Sequence, residues 1–372
     1  MLLTSAGFLQ QLRAKTYLLA FVALFSTSTL AKPPCTAAMQ SLLTGISRDT
    51  VTPKRSLEEI PELKMGTYNT LYLMKGLDST PRVIKHRQDV AQAILENDLD
   101  VITLQEVSDF DKLQKFSDTY LQGRYIPFLS AGNDERGIQI AFLVKKDLPF
   151  QMKLESHADT RGIHPVTGQE IEIFSRDTPT LSIWSDTQDV ASDDPLVIFN
   201  GTHLKSKRDS NGDPESRLMR AAQVKATVGI LDAKRAKHPS SMVMIAGDFN
   251  GDVAKEAEFA ALRESMVDVF ETQNLSEADR ITHSFHPNGG KTSYSQLDAF
   301  FVSPDKASYV SKAFVHRYKD ASGNVKRLPR SFGERMNNPS DHFPVILKMN
   351  FRKMLEDRRL LKQQAQDLPE AA

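Results

Sequence analysis

Short apolar runs that stop abruptly at a polar or ionisable residue are the feature of this chain that most restricts its fold. The stretch VMIAGDFN, residues 243–250, places Asp248 and Asn250 directly after an apolar run and a glycine. Apolar runs of this length, bounded by turn residues, are typical of β-strands buried on both faces. The same pattern predicts strands at 64–69, 100–105, 138–145, 180–184, 196–202, 242–247, 297–302 and 344–350.

Amphipathic segments alternate with these predicted strands. They predict helices at 82–97, 216–237 and 254–264, the first beginning just after Pro81. Val90, Ala91 and Ile94 fall on one face of the first helix, which we expect to lie against a sheet. Polar or charged composition without periodicity predicts loops at 185–195, 205–216 and 308–335. The mixture indicates an α/β fold with more than one sheet.

The N-terminal region resembles an export signal. Arg13 and Lys15 precede TYLLAFVALF, an apolar run of about the length of a signal-peptide core and too short to span a bilayer. We expect residues 1–31 to be a signal peptide cleaved after Ala31, so that the protein is exported to the periplasm or the medium. Residues 32–60 are then a leader and 61–350 the main domain, and 351–372 form a charged helical tail on the surface.

The charge and cysteine content exclude two classes of protein. The chain has 47 basic and 47 acidic residues, which argues against a general polyanion-binding protein. Removing residues 1–31 takes away Arg13 and Lys15 and no acid, so the formal net charge changes from +0 to −2. The single cysteine, Cys35, cannot form an intrachain disulfide, and a large core must therefore hold the fold.

Polar side chains recur at the ends of the predicted strands. They are Asn69, Glu106, His203, Asp248, Asn250, Asp298, Asp341 and His342. An unpaired carboxylate in a dry interior costs several kcal/mol, and one shared cleft around a cation explains all of these residues together. Glu106 and Asp341 offer hard oxygen donors suited to Mg²⁺ or Mn²⁺ bound together with a substrate phosphate. No Cys/His spacing suggests structural zinc.

These residues carry a family resemblance. The ordered set YNT, LQEV, GTHLKSK, GDFN, QLDAFFVSP and SDHFPV, spread over roughly residues 62–350, resembles the endonuclease/exonuclease/phosphatase superfamily. That group contains deoxyribonucleases, abasic-site endonucleases, inositol-polyphosphate phosphatases and neutral sphingomyelinases. The resemblance implies a four-layer α/β sandwich, in which two packed mixed β-sheets are flanked by helices and the site lies at one edge. Residues 202–223 are most similar to bacterial extracellular nucleases, although the order of Ala222 and Gln223 departs from their pattern.

The resemblance also implies roles for individual residues. It assigns metal binding to Asn69, Glu106 and Asp341, and water orientation and phosphate binding to Asp248 and Asn250. It pairs Asp298 with His342, makes His203 a candidate general acid, and places Glu135 or equally Asp134 near His203 as an orienting acid. Lys205, Lys207 and Arg208 become candidate phosphate contacts. Three further histidines, His283, His286 and His316, are expected to be surface or loop residues.

The resulting hypothesis is an exported, Mg²⁺-dependent phosphodiester hydrolase, most simply a monomeric nuclease that cleaves DNA or RNA by in-line attack of water. A lipid-headgroup phosphodiesterase similar to sphingomyelinase, or a sugar-phosphate phosphatase, is the enzymatic alternative. A non-catalytic binding protein of the same fold is a third. Membrane lipid as a substrate would favour an exposed aromatic hairpin, and the sequence shows no clear one, because the only tryptophan, Trp184, lies in a predicted strand. Nothing indicates a protein partner.

Overall fold

The computed structural model describes residues 54–73, 80–210, 212–287 and 290–366, without the side chains of 365 and 366. The predicted signal peptide, Cys35 and most of the predicted leader lie outside the described residues.

Strands and helices alternate along this part of the chain. The strands are β1 Glu62–Asn69, β2 Val101–Val107, β3 Tyr125–Ser130, β4 Gln139–Lys145, β5 Phe150–Glu155, β6 Arg161–Ile163, β7 Glu170–Glu172, β8 Thr180–Ser185, β9 Val197–His203, β10 Met242–Asp248, β11 Val267–Asp268, β12 His283–Phe285, β13 Ser293–Ser295, β14 Asp298–Val302, β15 Val310–Val315 and β16 Val345–Asn350. The α-helices are α1 Pro81–Glu96, α2 Phe110–Tyr120, α3 Arg217–Lys237, α4 Ala260–Ser265, α5 Val269–Thr272, α6 Phe332–Arg335 and α7 Phe351–Gln366.

Twelve of these strands form two six-stranded sheets. The first has the order β15-β16-β1-β2-β4-β3 and the second the order β11-β14-β10-β9-β8-β5. Each sheet has one parallel pair at its centre, β1 with β2 and β9 with β10, and antiparallel neighbours on both sides. The predicted α/β fold with two mixed sheets is therefore confirmed.

The two sheets pack face to face through one apolar core. Phe142 of β4 and Phe199 of β9 meet edge to face, with ring centroids 5.4 Å apart. Beside them Gly201 of β9 leaves no room for a side chain, since a Cβ there would lie 2.7 Å from Thr103 Oγ1 of β2. A glycine at this position lets the sheets approach closely where the strands run towards their ends.

Helices cover the outer faces. The helix α1 buries Val90, Ala91 and Ile94 in the core shared with the first sheet, as the sequence predicts. On the other side, α3 packs Val224 and Leu231 into a second cluster formed with β9 and β10. The layers therefore follow the order helix, sheet, sheet, helix. No helix in the described part of the chain is long and apolar enough to cross a bilayer.

The fold begins upstream of the predicted boundary at residue 61. Ile60 is fully buried in the core. Before it, the guanidinium of Arg55 lies 3.2 Å from Asp100 Oδ1 and 3.0 Å from Asp147 Oδ2. The last residues of the predicted leader are thus packed against the main domain.

The helix α7 corrects the expectation of a surface tail over 351–372. Phe351 and Met354 are buried in the core. Arg358 is also buried, and its guanidinium donates to the carbonyl oxygens of Pro195 at 2.7 Å and Ser240 at 3.1 Å. The first turns of α7 are therefore part of the domain.

Two further expectations need correction. The segment 308–335 is not all loop, because it contains the edge strand β15 and the short helix α6. The helix predicted at 254–264 is a 3₁₀ turn, Ala257–Phe259, followed by α4.

Candidate active site

Three strands of the second sheet place their polar residues side by side. β9 ends at His203, β10 ends at Asp248, and β14 begins at Asp298. The register pairs Asp248 with His203 on one side and with Asp298 on the other. Because β9 and β10 are parallel and β14 is antiparallel to them, two carboxyl ends and one amino end meet at one sheet edge. His203 Nε2 lies 3.4 Å from Asp248 Oδ2.

The first sheet reaches this edge through Asn69, the last residue of β1. Its amide Nδ2 donates to Asp248 Oδ2 at 2.9 Å and lies 3.4 Å from Glu106 Oε1. One side chain therefore connects the polar ends of both sheets.

A bulge in β2 directs Glu106 into the cleft. Gln105 pairs with Ile140 and Val107 with Gln139, which leaves Glu106 as an unpaired extra residue with φ of 64°. A non-glycine residue in this left-handed region is strained, and such strain concentrates at functional sites. The carboxylate accepts a hydrogen bond from the backbone N–H of Tyr72 at 3.0 Å.

The loop before β16 supplies Asp341 and His342. Since β16 runs antiparallel to β1, its amino end lies beside the carboxyl end of β1. Ser340 fixes this loop, because its hydroxyl donates to the carbonyl oxygen of Asn69 at 2.8 Å. His342 Nδ1 then lies 2.8 Å from Asp298 Oδ2, and its Nε2 lies 3.8 Å from Asp248 Oδ2.

The pair formed by Asp298 and His342 is charged at neutral pH. Burial alone would lower the pKa of His342, but the carboxylates of Asp298 and Asp248 outweigh it and raise the pKa to about 10. Burial raises the pKa of Asp298 to about 6, against the opposing charge of His342. The site thus holds a fixed imidazolium that faces Asp248.

His203 has the opposite environment. Burial, together with the positive charges of Arg176 and His342, holds its pKa well below the ordinary value. The ring is therefore neutral at neutral pH, and the expected role of His203 as a general acid stays a prediction. A neutral imidazole still donates one hydrogen bond, and Asp248 Oδ2 lies within reach of Nε2.

The expected orienting acid is not in contact with His203. Nδ1 of His203 has no hydrogen-bond partner among the described residues, and Glu135 is exposed. Asp134 instead lies 3.3 Å from the Nε atom of Arg176. Arg176 donates to the carbonyl oxygens of Leu204 at 2.6 Å and His203 at 3.4 Å, so an arginine holds the backbone at this position.

The donor chemistry of the cleft fits a divalent cation. Burial raises the pKa of Glu106; His342 opposes this, and the charges of Asp248 and Asp341 add to it. Such crowding of carboxylates is relieved by a hard cation with oxygen ligands. Because Asp341 Oδ2 lies 3.1 Å from Arg335, its other oxygen is the better placed to bind a metal.

Another group of possible ligand atoms lies closer together. Within the described residues, one ligand atom each of Asp248, Asp298 and His342 lies within 4.8 Å of the others. A protonated imidazole has no lone pair for a metal, and the raised pKa of His342 keeps it protonated. Metal binding by Glu106, Asn69 and Asp341 stays a prediction beside this cluster.

The remaining predicted residues lie around this centre. The backbone N–H of Asn250 donates to Asp248 Oδ1 at 2.8 Å, and its side chain donates to the carbonyl of Leu204 at 3.0 Å. Lys207 is exposed and forms an ion pair with Glu256. Lys205 is half-buried and Arg208 exposed, and both follow the strand that ends at His203.

Sequence reasoning missed several residues of the site. The ring of His283, expected on the surface, lies with its centroid 4.6 Å from that of His342. Burial and the charge of His342 lower the pKa of His283 to about 3, so it is neutral. Tyr318 is buried and donates to the carbonyl oxygen of His342 at 2.5 Å. These contacts, like those of Arg176 and Arg335, join distant segments and leave no local sequence pattern.

Comparison with known proteins agrees with this geometry. Residues 66–342 match the family model of the Endonuclease/Exonuclease/phosphatase family. No curated protein sequence matches the chain. The solved structures similar to this chain are distant in sequence, 17–19% identical in the three cases that follow, so the likeness shows the fold alone.

Three solved structures illustrate that likeness. Truncated Caenorhabditis elegans TDP2 is 19% identical, with 77% of this chain and 97% of that chain covered and a TM-score of 0.54. D. rerio TDP2 complexed with single strand DNA product is 17% identical, with 78% and 99% covered and a TM-score of 0.51. An endonuclease/exonuclease/phosphatase family protein from Bacteroides thetaiotaomicron is 17% identical, with 77% and 94% covered and a TM-score of 0.51.

Proposed function

The chain belongs to the endonuclease/exonuclease/phosphatase family, and from this premise we propose that it is an exported, Mg²⁺- or Mn²⁺-dependent phosphodiesterase that hydrolyses nucleic acid. The observation that carries the proposal is the meeting of Asn69, Asp248 and the charged pair Asp298–His342 at one edge of both sheets. Together they provide a carboxylate acceptor, an amide that donates to it at 2.9 Å and a positively charged imidazole whose Nε2 lies 3.8 Å from it.

Each group has a defined part in hydrolysis. Asp248 orients the attacking water and accepts its proton, while Asn69 keeps that carboxylate in place. The imidazolium of His342, held by Asp298, stabilises negative charge on the phosphoryl oxygens. The proton that Asp248 accepts reaches the leaving oxygen through His203, the expected general acid, whose Nε2 lies 3.4 Å from the same carboxylate.

A divalent cation bound by Glu106, Asn69 and Asp341 would add neutralisation of the phosphate charge and polarisation of a phosphoryl oxygen. The bulge at Glu106 and the ion pair of Asp341 with Arg335 hold two of these ligands in position. The chain therefore presents the carboxylates before any ion binds.

Two features support nucleic acid as the substrate. A solved structure of the same fold contains single strand DNA product. Basic residues follow His203 on the same loop, and among them the exposed Arg208 suits a local grip on phosphates in a chain of balanced charge.

The test is to incubate the full chain with plasmid DNA, RNA and sphingomyelin vesicles, with Mg²⁺ or with chelator. Nucleic acid should be cleaved with Mg²⁺ and not with chelator. Asp248→Ala and His342→Ala should each lower turnover by about a hundredfold or more, as expected for a lost acid–base or charge-stabilising group. The exposed Glu135→Ala serves as the control and should keep full activity.

Cleavage of sphingomyelin with nucleic acid untouched would replace the nuclease proposal by the lipid one. Full activity in either site variant would refute the roles assigned above. The export half of the proposal rests on residues 1–31 and has its own test. Expressed in a Gram-negative bacterium, the protein should be recovered from the periplasm or the medium with Lys32 as its first residue.

A further inference from the structure

A two-stranded hairpin lies directly beside the active site. β12 pairs with β13, so that His283 faces Ser295 and Phe285 faces Ser293. Alternate residues of a strand point to the same side, so Phe285 lies on the face that carries His283. His283 contacts the ring of His342, whereas Phe285 is 57% exposed. One strand of the hairpin therefore carries both a histidine that contacts the active site and, two residues further on, an exposed aromatic ring.

A second segment, residues 327–336, presents further apolar side chains. Phe332 is 60% exposed and Met336 is 39% exposed. Between them Arg335 is buried and lies 3.1 Å from Asp341. We call Phe285, Phe332 and Met336 the apolar wall. Both parts of this wall belong to segments anchored on residues of the site.

The two segments are also bonded to each other. Tyr294 of β13 donates from its hydroxyl to the carbonyl oxygen of Pro329 at 2.9 Å. Thr292 donates to the carbonyl oxygen of Arg330 at 3.0 Å. The hairpin and the segment 327–336 are therefore held as one surface.

This surface is positively charged. Arg327 forms an ion pair with Glu334 at 2.6 Å. Lys291 and Arg330 are exposed, and neither side chain forms an ion pair among the described residues, although Glu334 accepts the backbone N–H of Arg330 at 2.8 Å and senses its charge. Exposed aromatic rings can stack on bases, and nearby cations can bind phosphates. This surface therefore suits a nucleic-acid strand.

We propose that the apolar wall binds an unpaired stretch of nucleic-acid strand next to the scissile phosphate, with a base stacked on Phe285, and that the enzyme therefore prefers single-stranded substrate. The proposal rests on the nuclease function above. In a duplex the base faces are covered by their neighbours, whereas an unpaired base can stack on a protein ring. Lys291 and Arg330 contact the adjoining phosphates.

The sequence of the hairpin favours nucleic acid over a membrane. A hairpin that inserts into lipid needs apolar residues where its strands are joined, since unsatisfied polar groups are costly in hydrocarbon. Here the joining segment, residues 286–292, reads HPNGGKT and is polar. The exposed phenylalanine, Phe285, is the last residue of β12 and directly precedes this polar segment.

The experiment pairs a change in the substrate with a change in the protein. The full chain is assayed with Mg²⁺ on a thymidine twelve-mer and on an abasic twelve-mer, which keeps the phosphates and lacks the bases. The wild type should cleave the thymidine strand with a kcat/KM about tenfold higher, a difference typical of one stacked base. Phe285→Ala should remove that preference and leave the abasic rate unchanged, and Phe285→Trp should retain it.

The matched control is Leu361→Ala, since Leu361 is 58% exposed on α7, at the other end of the sheets. This variant should behave as the wild type on both strands. Equal cleavage of the two strands by the wild type would overturn the stacking proposal while leaving nuclease function intact. Cleavage of neither strand would instead show that the proposed function itself has failed. Binding of sphingomyelin vesicles that Phe285→Ala abolishes, with unchanged cleavage of both strands, would assign the wall to a lipid surface.

Discussion

Arg176 shows how a single buried side chain can organise the site without belonging to any motif. It lies between Asp134 and the backbone that carries His203, where it donates to two successive carbonyl oxygens. It also contributes the positive charge that, after burial, most lowers the pKa of His203. The position of His203 and its neutral state both depend on this guanidinium.

We predict that Arg176→Met lowers the free energy of unfolding by about 3 kcal/mol, because Asp134 and the carbonyl of Leu204 lose a buried charged partner. Turnover should fall at least about tenfold as His203 moves. Arg136→Met is the control, since Arg136 contacts the same carboxylate from the surface, at 2.8 Å, and should cost less than about 1 kcal/mol. Denaturant unfolding and initial rates measure both effects. Equal effects in the two variants would contradict this assignment.

The polar residues at strand ends could be predicted from the sequence, whereas their supports could not. Asp248 stands out because a carboxylate directly follows an apolar run. Arg176 binds backbone carbonyls 27 and 28 positions further along the chain, and every residue has a carbonyl. Glu135 is the converse case: the family resemblance placed it near His203, but its side chain is exposed and Nδ1 of His203 has no partner among the described residues.

The strands also divide into those that the local sequence pattern predicts and those that it does not. The sequence predicts β1, β2, β4, β8, β9, β10, β14 and β16, which are the interior strands of the two sheets. It misses β3, β5, β11 and β15, which are the edge strands of these sheets, and also the four short strands of the two-stranded sheets, β6, β7, β12 and β13. Interior strands read as apolar runs because both faces are covered, whereas an edge strand such as β15 carries exposed Ser311 and Lys312.

The central pair of β9 and β10 sets the spacing of the catalytic residues. Gly247 has φ of 156°, and a Cβ at this position would lie 1.9 Å from the carbonyl oxygen of Thr202. Its neighbours in the two strands, His203 and Asp248, are paired in register. Close approach of the two backbones therefore requires glycine one residue before the catalytic carboxylate.

We predict that Gly247→Ala separates the ends of β9 and β10 and lowers the free energy of unfolding by about 2–3 kcal/mol. Activity should fall more than stability suggests, since His203 and Asp248 lie at the point of separation. Gly229→Ala in α3 is the matched control, because a Cβ added at Gly229 would meet no other atom within 4 Å. That change should be neutral or stabilise by about 0.5–1 kcal/mol. Thermal unfolding and turnover of the two variants would settle the comparison, and a fully active Gly247→Ala would disprove the role of close approach.

Neither sheet holds a complete site. The first sheet supplies Asn69 and Glu106, and the second supplies His203, Asp248 and Asp298. The hydrogen bond from Asn69 to Asp248 crosses between them. The convergence of these residues could be predicted from the resemblance to a family, but the distances depend on how closely the two sheets pack, which no local pattern records.

Cation binding should therefore stabilise the packed domain as a unit. Mg²⁺ that binds the folded chain alone, at about one hundred times its dissociation constant, adds about 2.7 kcal/mol of stability, and chelator should remove it. Glu106→Gln should abolish this gain. Without metal the variant should be no less stable than the wild type at pH 7, because burial raises the pKa of Glu106 and its ionised form therefore weakens the fold above that pKa. Exposed Glu135→Gln should keep the full response. Thermal unfolding with Mg²⁺ or chelator gives the measurement, and an undiminished Mg²⁺ response in Glu106→Gln would place the cation elsewhere.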